Sequence, residues 1–202
     1  MNFPLLVAIT GRSGSGKSTV SAFYRQHGYP VLDADAVARE VVERGSPVLD
    51  ELSACFGSDI LNSDGTLNRK RLAQKAFCSK KETERLNAIT HPAIVKCILE
   101  RAKTYAEQGH HICFVDGAVI LGSPLEPYCK RWIVVTAPQE QAIARIMRRD
   151  AISKEQAQER LSVQTPEEAL LRRADYHISN SGAQEALERQ ADNVLKALLS
   201  DV

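Results

Sequence analysis

Gly11-Arg12-Ser13-Gly14-Ser15-Gly16-Lys17-Ser18 is the stretch that decides the fold. It follows LLVAIT at residues 5–10 and precedes residues 17–26, which read as a helix. An apolar, partly β-branched run that stops at a glycine reads as a buried strand. Gly-x4-Gly-Lys-Ser between a strand and a helix is a phosphate cradle. Glycines let the backbone curl so that successive N–H groups face phosphate oxygens. The helix beginning near Lys17 adds the positive end of its dipole. The Lys17 ammonium is placed to reach the β- and γ-phosphates of ATP or GTP, and the Ser18 hydroxyl to ligate Mg²⁺. Gly14, Ser15, Gly16, Lys17, Ser18 and Thr19 are therefore the expected nucleotide-binding residues. Such a pattern arises by accident in roughly one chain in a hundred of this length, given average glycine usage. The strand before it and the helix after it make accident a poor explanation here.

Working outward, strand and helix patterns alternate. Residues 29–33, 112–116, 132–136 and 176–179 read as further strands. Residues 36–43, 47–56, 139–149 and 183–199 read as helices. The clearest helix covers residues 91–108, with His91-Pro92 at its start, Ile94, Val95, Ile98, Leu99, Ala102 and Tyr105 at helical spacing, and Gly109 ending it. Ser153 with Gln156, and Thr165 with Glu168, form capping-box patterns, the second with Pro166 at the first helical position. Asp64-Gly65 marks a turn. Strands separated by helices predict a parallel sheet covered on both faces. Ligands on such sheets bind beyond the carboxyl ends of the strands. Chemistry is thus expected just after residues 10, 33, 116 and 136.

Composition narrows the class. In 202 residues, 26 Lys and Arg stand against 25 Asp and Glu, a net charge of +1. That balance argues against non-specific nucleic-acid binding, which needs a basic excess. Hydrophobic residues at 44% and charged residues at 25% are ordinary globular usage and exclude a disordered or fibrous chain. No apolar run is long enough to span a membrane. The opening Met1-Asn2-Phe3-Pro4 has neither a charged nor a long apolar segment, so no signal peptide is expected. Cys55, Cys78, Cys97, Cys113 and Cys129 are odd in number and widely spaced. They read as free thiols in a reducing cytoplasm rather than as a disulfide or zinc framework.

A nucleotide cradle does not say where the γ-phosphate goes. The Asn-Lys-x-Asp sequence that reads guanine is absent, which disfavours a GTP switch, and the chain is too short for a large motor. A kinase acting on a hydroxyl needs a carboxylate to orient the nucleophile and take its proton. Asp33-Ala34-Asp35 stands at the end of the second strand, where such a carboxylate can face the cradle. Arg39 lies one turn after Asp35 and can pair with it or hold a substrate phosphate. The alternative for each Asp is a helix cap. Asp116 ends an apolar strand, a position suited to holding Mg²⁺ through water or to touching the acceptor. Arg145 and Arg149 share a helix face, and Arg148 is their neighbour. The alternative for these three is a solvated basic face. His91, taken alone, is as well explained as a cap or a packed side chain.

Several blocks in order resemble the dephospho-CoA kinase family. They are the P-loop, Asp33-Ala34-Asp35 with Arg39-Glu40-Val41-Val42, Asp64-Gly65-Thr66-Leu67, Thr90-His91-Pro92, Arg145-Ile146-Met147-Arg148-Arg149-Asp150 and Ile178-Ser179-Asn180-Ser181-Gly182. The resemblance implies ATP-dependent phosphorylation of the ribose 3′-hydroxyl of dephospho-CoA, the last reaction of coenzyme A synthesis. It implies a P-loop NTPase, nucleoside-monophosphate-kinase-like α/β fold: a five-stranded parallel sheet sandwiched by helices, with helical substrate-binding and lid regions. On that pattern the core covers residues 1–45, 109–137 and 174–202, the CoA-binding region residues 46–108 and the lid residues 138–173. Asp35 is the implied base, with Lys17, Arg145 and Arg149 sharing catalysis. Asp35, Arg39, His91 and Asp116 are implied contacts of the acceptor, and Ser18 of Mg²⁺. One lid arginine would stack on adenine and another offset charge on the moving phosphoryl. ATP and dephospho-CoA are the implied partners, with neither membrane nor nucleic acid.

The chain departs from the family pattern in three places. Gly11-Arg12-Ser13-Gly14 replaces the usual Gly-Gly-Ile-Gly. Asp116-Gly117-Ala118-Val119-Ile120-Leu121-Gly122 lacks the usual Pro and Glu. Ile178-Ser179-Asn180 replaces Ile-Asp-Asn. Two other readings stay open at this point: a different small-molecule kinase, such as a nucleoside kinase, and a nucleotide-binding regulator without turnover.

Overall fold

The first strand sits in the middle of the sheet. In the computed structural model, residues 3–118 and 120–200 are described; Val119, in the loop after Asp116, lies outside them. The elements run β1 (Leu5–Thr10), α1 (Lys17–Gln26), β2 (Val31–Asp33), α2 (Ala34–Glu40), α3 (Pro47–Phe56), α4 (Arg69–Ala76) and α5 (Lys80–Glu107). They continue as β3 (Ile112–Asp116), β4 (Arg131–Thr136), α6 (Gln139–Asp150), α7 (Lys154–Ser162), α8 (Glu167–Arg173), β5 (Tyr176–Ser179) and α9 (Gln184–Ser200). The chain divides into a sheet unit, residues 1–33 and 102–202, and a helical unit, residues 34–101.

In the sheet unit the strand order is β2-β3-β1-β4-β5, and every pairing is parallel. Parallel strands covered on both faces must be apolar at consecutive positions, not alternate ones. Thus Leu6, Val7, Ala8 and Ile9 of β1 are all buried. Val7, Ile9, Phe114, Ile133, Val135 and Ile178 pack against Val20, Phe23 and Tyr24 of α1 and Leu187, Ala191, Val194, Leu195 and Leu198 of α9. Each fully buried Val, Leu or Phe here contributes roughly 1.5–3 kcal/mol. Tyr24 stacks on Phe114 at 4.0 Å and donates its hydroxyl to the Ala191 carbonyl, tying α1 to α9. Trp132 is fully buried, donates its indole N–H to the Cys129 carbonyl at 3.2 Å, and carries the Arg173 guanidinium 4.7 Å above its ring. The chain leaves β1 toward β2 and β3 on one side and reaches β4 and β5 on the other. That reversal opens a crevice at the carboxyl end of β1, where the glycine-rich loop lies.

The helical unit has its own core of Val42, Leu52, Phe56, Ile60, Leu72 and Ala76, flanked by Leu67, Leu86 and Ile89. Its helices start where side chains cap them: Ser46 accepts from Leu49 N–H ahead of Pro47, and Asn68 from Arg71 N–H. The Asp64-Gly65 turn is present. Asp64 accepts from the Thr66 N–H at 2.9 Å, and Leu61 bridges Leu67 across the turn.

Three local expectations change. The helix expected to start at His91 starts at Lys80, and Pro92 lies inside it. An interior Pro removes one helix hydrogen bond and crowds the carbonyl four residues back, a cost that the long helix, packed through Leu86 and Ile89, offsets; charged residues obscure the pattern upstream. Thr165 does not cap α8: Pro166 is the N-cap residue, in extended conformation, with no side-chain cap bond. By contrast, the Ser153–Gln156 capping box is complete in both directions. The second strand and the helix after it are shorter than expected, at Val31–Asp33 and Ala34–Glu40.

Candidate active site

The loop after β1 is shaped by groups that hold its carbonyls from outside. Arg145 Nη1 donates to the Gly14 carbonyl at 3.0 Å, and Asn180 Nδ2 donates to the Ser15 carbonyl at 2.8 Å. Arg145 Nη2 also reaches the Asn180 carbonyl and Oδ1, each at 3.3 Å. In a trans peptide the C=O and the next N–H point opposite ways. Fixing the Ser15 carbonyl outward therefore turns the Gly16 N–H inward, while the Ser15 N–H bonds the Arg12 carbonyl at 3.2 Å. Gly16 has φ 99°, and a Cβ there would collide with the Asn180 amide. Gly14 has φ 75°, and its Cβ would stand 2.5 Å from the Ala142 carbonyl oxygen. A side chain at either position would be strained in φ and would collide with a neighbour.

Lys17 opens α1 and folds back over the loop. Its ammonium donates to the Gly11 carbonyl at 2.7 Å and the Arg12 carbonyl at 3.3 Å. Ser18 is exposed, and Thr19 N–H bonds the Gly16 carbonyl at 3.0 Å. Ser21, three residues after Ser18 and so on its face of the helix, donates to Asp116 Oδ2 at 2.6 Å. Asp116 and Asp33 are register partners at the ends of β3 and β2. Burial pushes the Asp116 carboxyl above the ordinary carboxylate range; the Ser21 hydroxyl and Lys17 pull it down, and Asp33 raises it. The Ser15 hydroxyl and the Arg12 Nε are buried there without a hydrogen-bond partner.

The raised Asp116 carboxyl has a signed consequence. A carboxyl whose folded pKa exceeds its unfolded value binds its proton more tightly when folded. Stability is therefore lost as pH rises from about 4 through that raised value. Asp116→Asn keeps an acceptor for Ser21 and removes the buried charge. It is expected to raise the melting temperature of the nucleotide-free protein at pH 7 in EDTA, and to lose that advantage in acid, while phosphoryl transfer falls. Thermal scans across pH with a parallel assay check both halves.

Beside the loop is a cleft of about 500 Å³. Its walls include Ser15, Thr136, Pro138, Gln164, Glu168 and Ser181, drawn from the ends of β1, β4 and β5 and from the segment joining α7 to α8. Arg149, expected on the face of Arg145, is exposed and held by Asp150 through Nε at 2.7 Å and Nη2 at 2.9 Å. Arg148 is exposed.

The sheet unit thus brings together the loop, Asp116 and Arg145. Asp35, Arg39 and His91 belong to the helical unit. Asp35 is exposed in the first turn of α2, two residues after Asp33, and Arg39 is exposed in its last turn. His91 is half-buried inside α5, and burial lowers its pKa. The same unit holds an apolar groove of about 220 Å³ lined by Val42, Leu52, Leu72, Phe77, Leu86 and Ile94.

A family model described as dephospho-CoA kinase matches residues 5–186. The chain belongs to the dephospho-CoA kinase family. It is 40% identical over 193 residues to a dephospho-CoA kinase of Anaeromyxobacter dehalogenans, covering 96% of this chain and 92% of the relative. The crystal structure of TT1252 from Thermus thermophilus superposes with a TM-score of 0.83 at 33% identity, covering 98% of each chain. Dephospho-CoA kinase from Campylobacter jejuni superposes with a TM-score of 0.72 at 26% identity, covering 96% of this chain and 97% of the other. The P-loop NTPase α/β fold with its five-stranded parallel sheet is the fold of this family.

Asn180, part of the resembling block at residues 178–182 but not among the expected site residues, holds the Ser15 carbonyl. Its signal was an Asn just past the last strand, at the carboxyl end of the sheet; it is buried at 8% exposure. Asn180→Ala leaves the Ser15 carbonyl unsatisfied, a loss of about 1–3 kcal/mol. Nucleotide affinity is expected to fall about tenfold or more, measured by titration with a fluorescent ATP analogue.

Proposed function

We propose that this chain transfers the γ-phosphoryl group of ATP to the ribose 3′-hydroxyl of dephospho-CoA, giving CoA and ADP, in the cytoplasm. The observation that carries the reading is the loop at residues 11–18, its carbonyls tied outward by Arg145 and Asn180, in a chain of this family. Its five cysteines are free thiols, two of them buried, which fits a reducing compartment.

Gly14, Ser15, Gly16, Lys17, Ser18 and Thr19 form the phosphate site, with the Gly16 N–H turned inward, and Lys17 leaves the Gly11 and Arg12 carbonyls for the β- and γ-phosphates. The cleft lined by Thr136, Pro138 and Ser181 takes the adenosine end. Ser18, with Asp33 and Asp116 nearby, offers only oxygen donors, the chemistry Mg²⁺ prefers when phosphate oxygens and waters complete its shell. When bound there, Mg²⁺ neutralises charge on the β- and γ-phosphates. Asp35 accepts the proton of the 3′-hydroxyl as its oxygen attacks the γ-phosphorus. The bond from that phosphorus to the bridging oxygen breaks, and ADP leaves. Arg145 fixes the cradle, and Arg149, freed from Asp150, offsets charge on the moving phosphoryl. Arg39, His91 and Asp116 contact the acceptor, and the apolar groove of the helical unit suits its pantetheine arm. Residues 1–45, 109–137 and 174–202 serve as core, residues 46–108 as the CoA-binding region, and residues 138–173 as lid.

The experiment incubates the protein with MgATP and dephospho-CoA and reads the acceptor by mass. The expected product is heavier by one phosphoryl group, with ADP released in equal amount. Equal phosphorylation of nucleosides in the same assay, with none of dephospho-CoA, would overturn the acceptor assignment.

A further inference from the structure

Arg12 and Ser13 stand where the family pattern has Gly and Ile, and both reach across to one segment more than a hundred residues away. Arg12 Nη2 donates to the Leu161 carbonyl. Ser13 N–H donates to Gln164 Oε1 at 2.9 Å, and Gln164 Nε2 donates to Ser13 Oγ at 2.7 Å. The Ser13 N–H is thereby spent on Gln164 and is not among the amides left for phosphate. Leu161 is the penultimate residue of α7, at the negative end of the helix, and its carbonyl also accepts from the Gln164 N–H at 3.2 Å. The Arg12 guanidinium adds a charged donor to that same carbonyl. Leu161 itself is buried against Ile143, Ile146 and Ala157, so what Arg12 grips is anchored to α6. Arg12, Ser13, Leu161 and Gln164 all line the cleft beside the loop, as do Pro166, Glu167 and Glu168 just beyond.

We propose that Arg12, Ser13 and Gln164 form a clasp that holds the α7–α8 segment as one wall of the nucleotide cleft, and that these residues are positioning residues for ATP. The proposal rests on the assignment of that cleft to ATP. Lys17 Nζ meets Arg12 only at its main-chain carbonyl, which none of the clasp's own bonds uses, so opening the clasp changes how well the nucleotide is held, not how the phosphoryl moves.

The test compares wild type, Gln164→Ala, Gln164→Glu and Arg12→Gly. Gln164→Ala is expected to raise the KM for ATP, and the Kd of a fluorescent ATP analogue, by about tenfold, the loss of two ordinary hydrogen bonds. Its kcat should stay within about twofold of wild type, and its KM for dephospho-CoA should not move. Gln164→Glu replaces the amide with a carboxylate that can accept from both the Ser13 N–H and its hydroxyl, and should restore nucleotide affinity relative to Gln164→Ala. Arg12→Gly should act in the same direction as Gln164→Ala. If Arg12→Gly fails to fold, Gln164→Ala decides alone, because it removes only a half-buried side-chain amide. Wild type and Gln164→Ala binding the analogue equally would overturn the clasp and leave the ATP cleft standing. Wild type failing to bind the analogue would overturn both.

Discussion

On the phosphate role proposed for Lys17, Lys17→Ala is expected to lower kcat/KM for phosphoryl transfer by about 100- to 1,000-fold, roughly 3–4 kcal/mol of transition-state stabilisation. The size follows from replacing a fixed cation at developing phosphate charge with solvent. The ammonium is already held at the loop, 2.7 Å from the Gly11 carbonyl, so little reorganisation is needed when a triphosphate enters. An ADP-coupled assay at saturating ATP separates loss of chemistry from loss of affinity. Near-normal turnover would remove Lys17 from the phosphate site. Lys17→Arg should recover only part of the rate, since a planar fork does not replace a compact ammonium inside a tight loop.

With Asp35 as the proposed base, Asp35→Asn is expected to spare ATP binding and to lower transfer by about 100- to 10,000-fold, the usual range for a general base. Asn keeps the shape and can still orient a hydroxyl, but it cannot take the proton. Asp35 lies in the first turn of α2, on the helical unit that begins immediately after β2 ends. Rapid-quench measurement of CoA formation, with a parallel titration of the ATP analogue, reads both halves. Unchanged transfer would move the base to another carboxylate, with Asp33 the nearest in sequence.

The phosphate loop was fully legible, because its chemistry demands particular residues at adjacent positions. So was the alternation of strands and helices, because parallel strands buried on both faces carry runs such as ICFVD and RWIVVT. The Ser153–Gln156 capping box was legible for the same reason: its partners are three residues apart. What the sequence concealed was contact at long range. Spacing put Arg145 on one helix face with Arg149, and the family resemblance implied a lid arginine there. Its bond to the Gly14 carbonyl, 131 residues away, and to Asn180, 35 residues away, depends on how α6 packs beside the loop. Gln164 carries no local signal at all; its partner Ser13 is 151 residues distant. Pro92 misled in the other direction, since proline marks helix starts more often than helix interiors.

The order of the strands has a consequence for how the protein is made. Leu5 of β1 pairs with Ile112 of β3, and Val7 with Arg131 of β4. On the ribosome, β1 emerges first and waits for partners encoded more than about a hundred residues later, some 5–20 s at ordinary translation rates. The intervening helical unit is synthesised during that wait and has its own cluster around Leu52, Phe56 and Leu72 to collapse upon. Both edges of β1 stay without strand partners until the second half of the chain arrives, while α1 can cover Val7 and Ile9 on one face. The nascent β1 is therefore an apolar strand with two open edges for that interval.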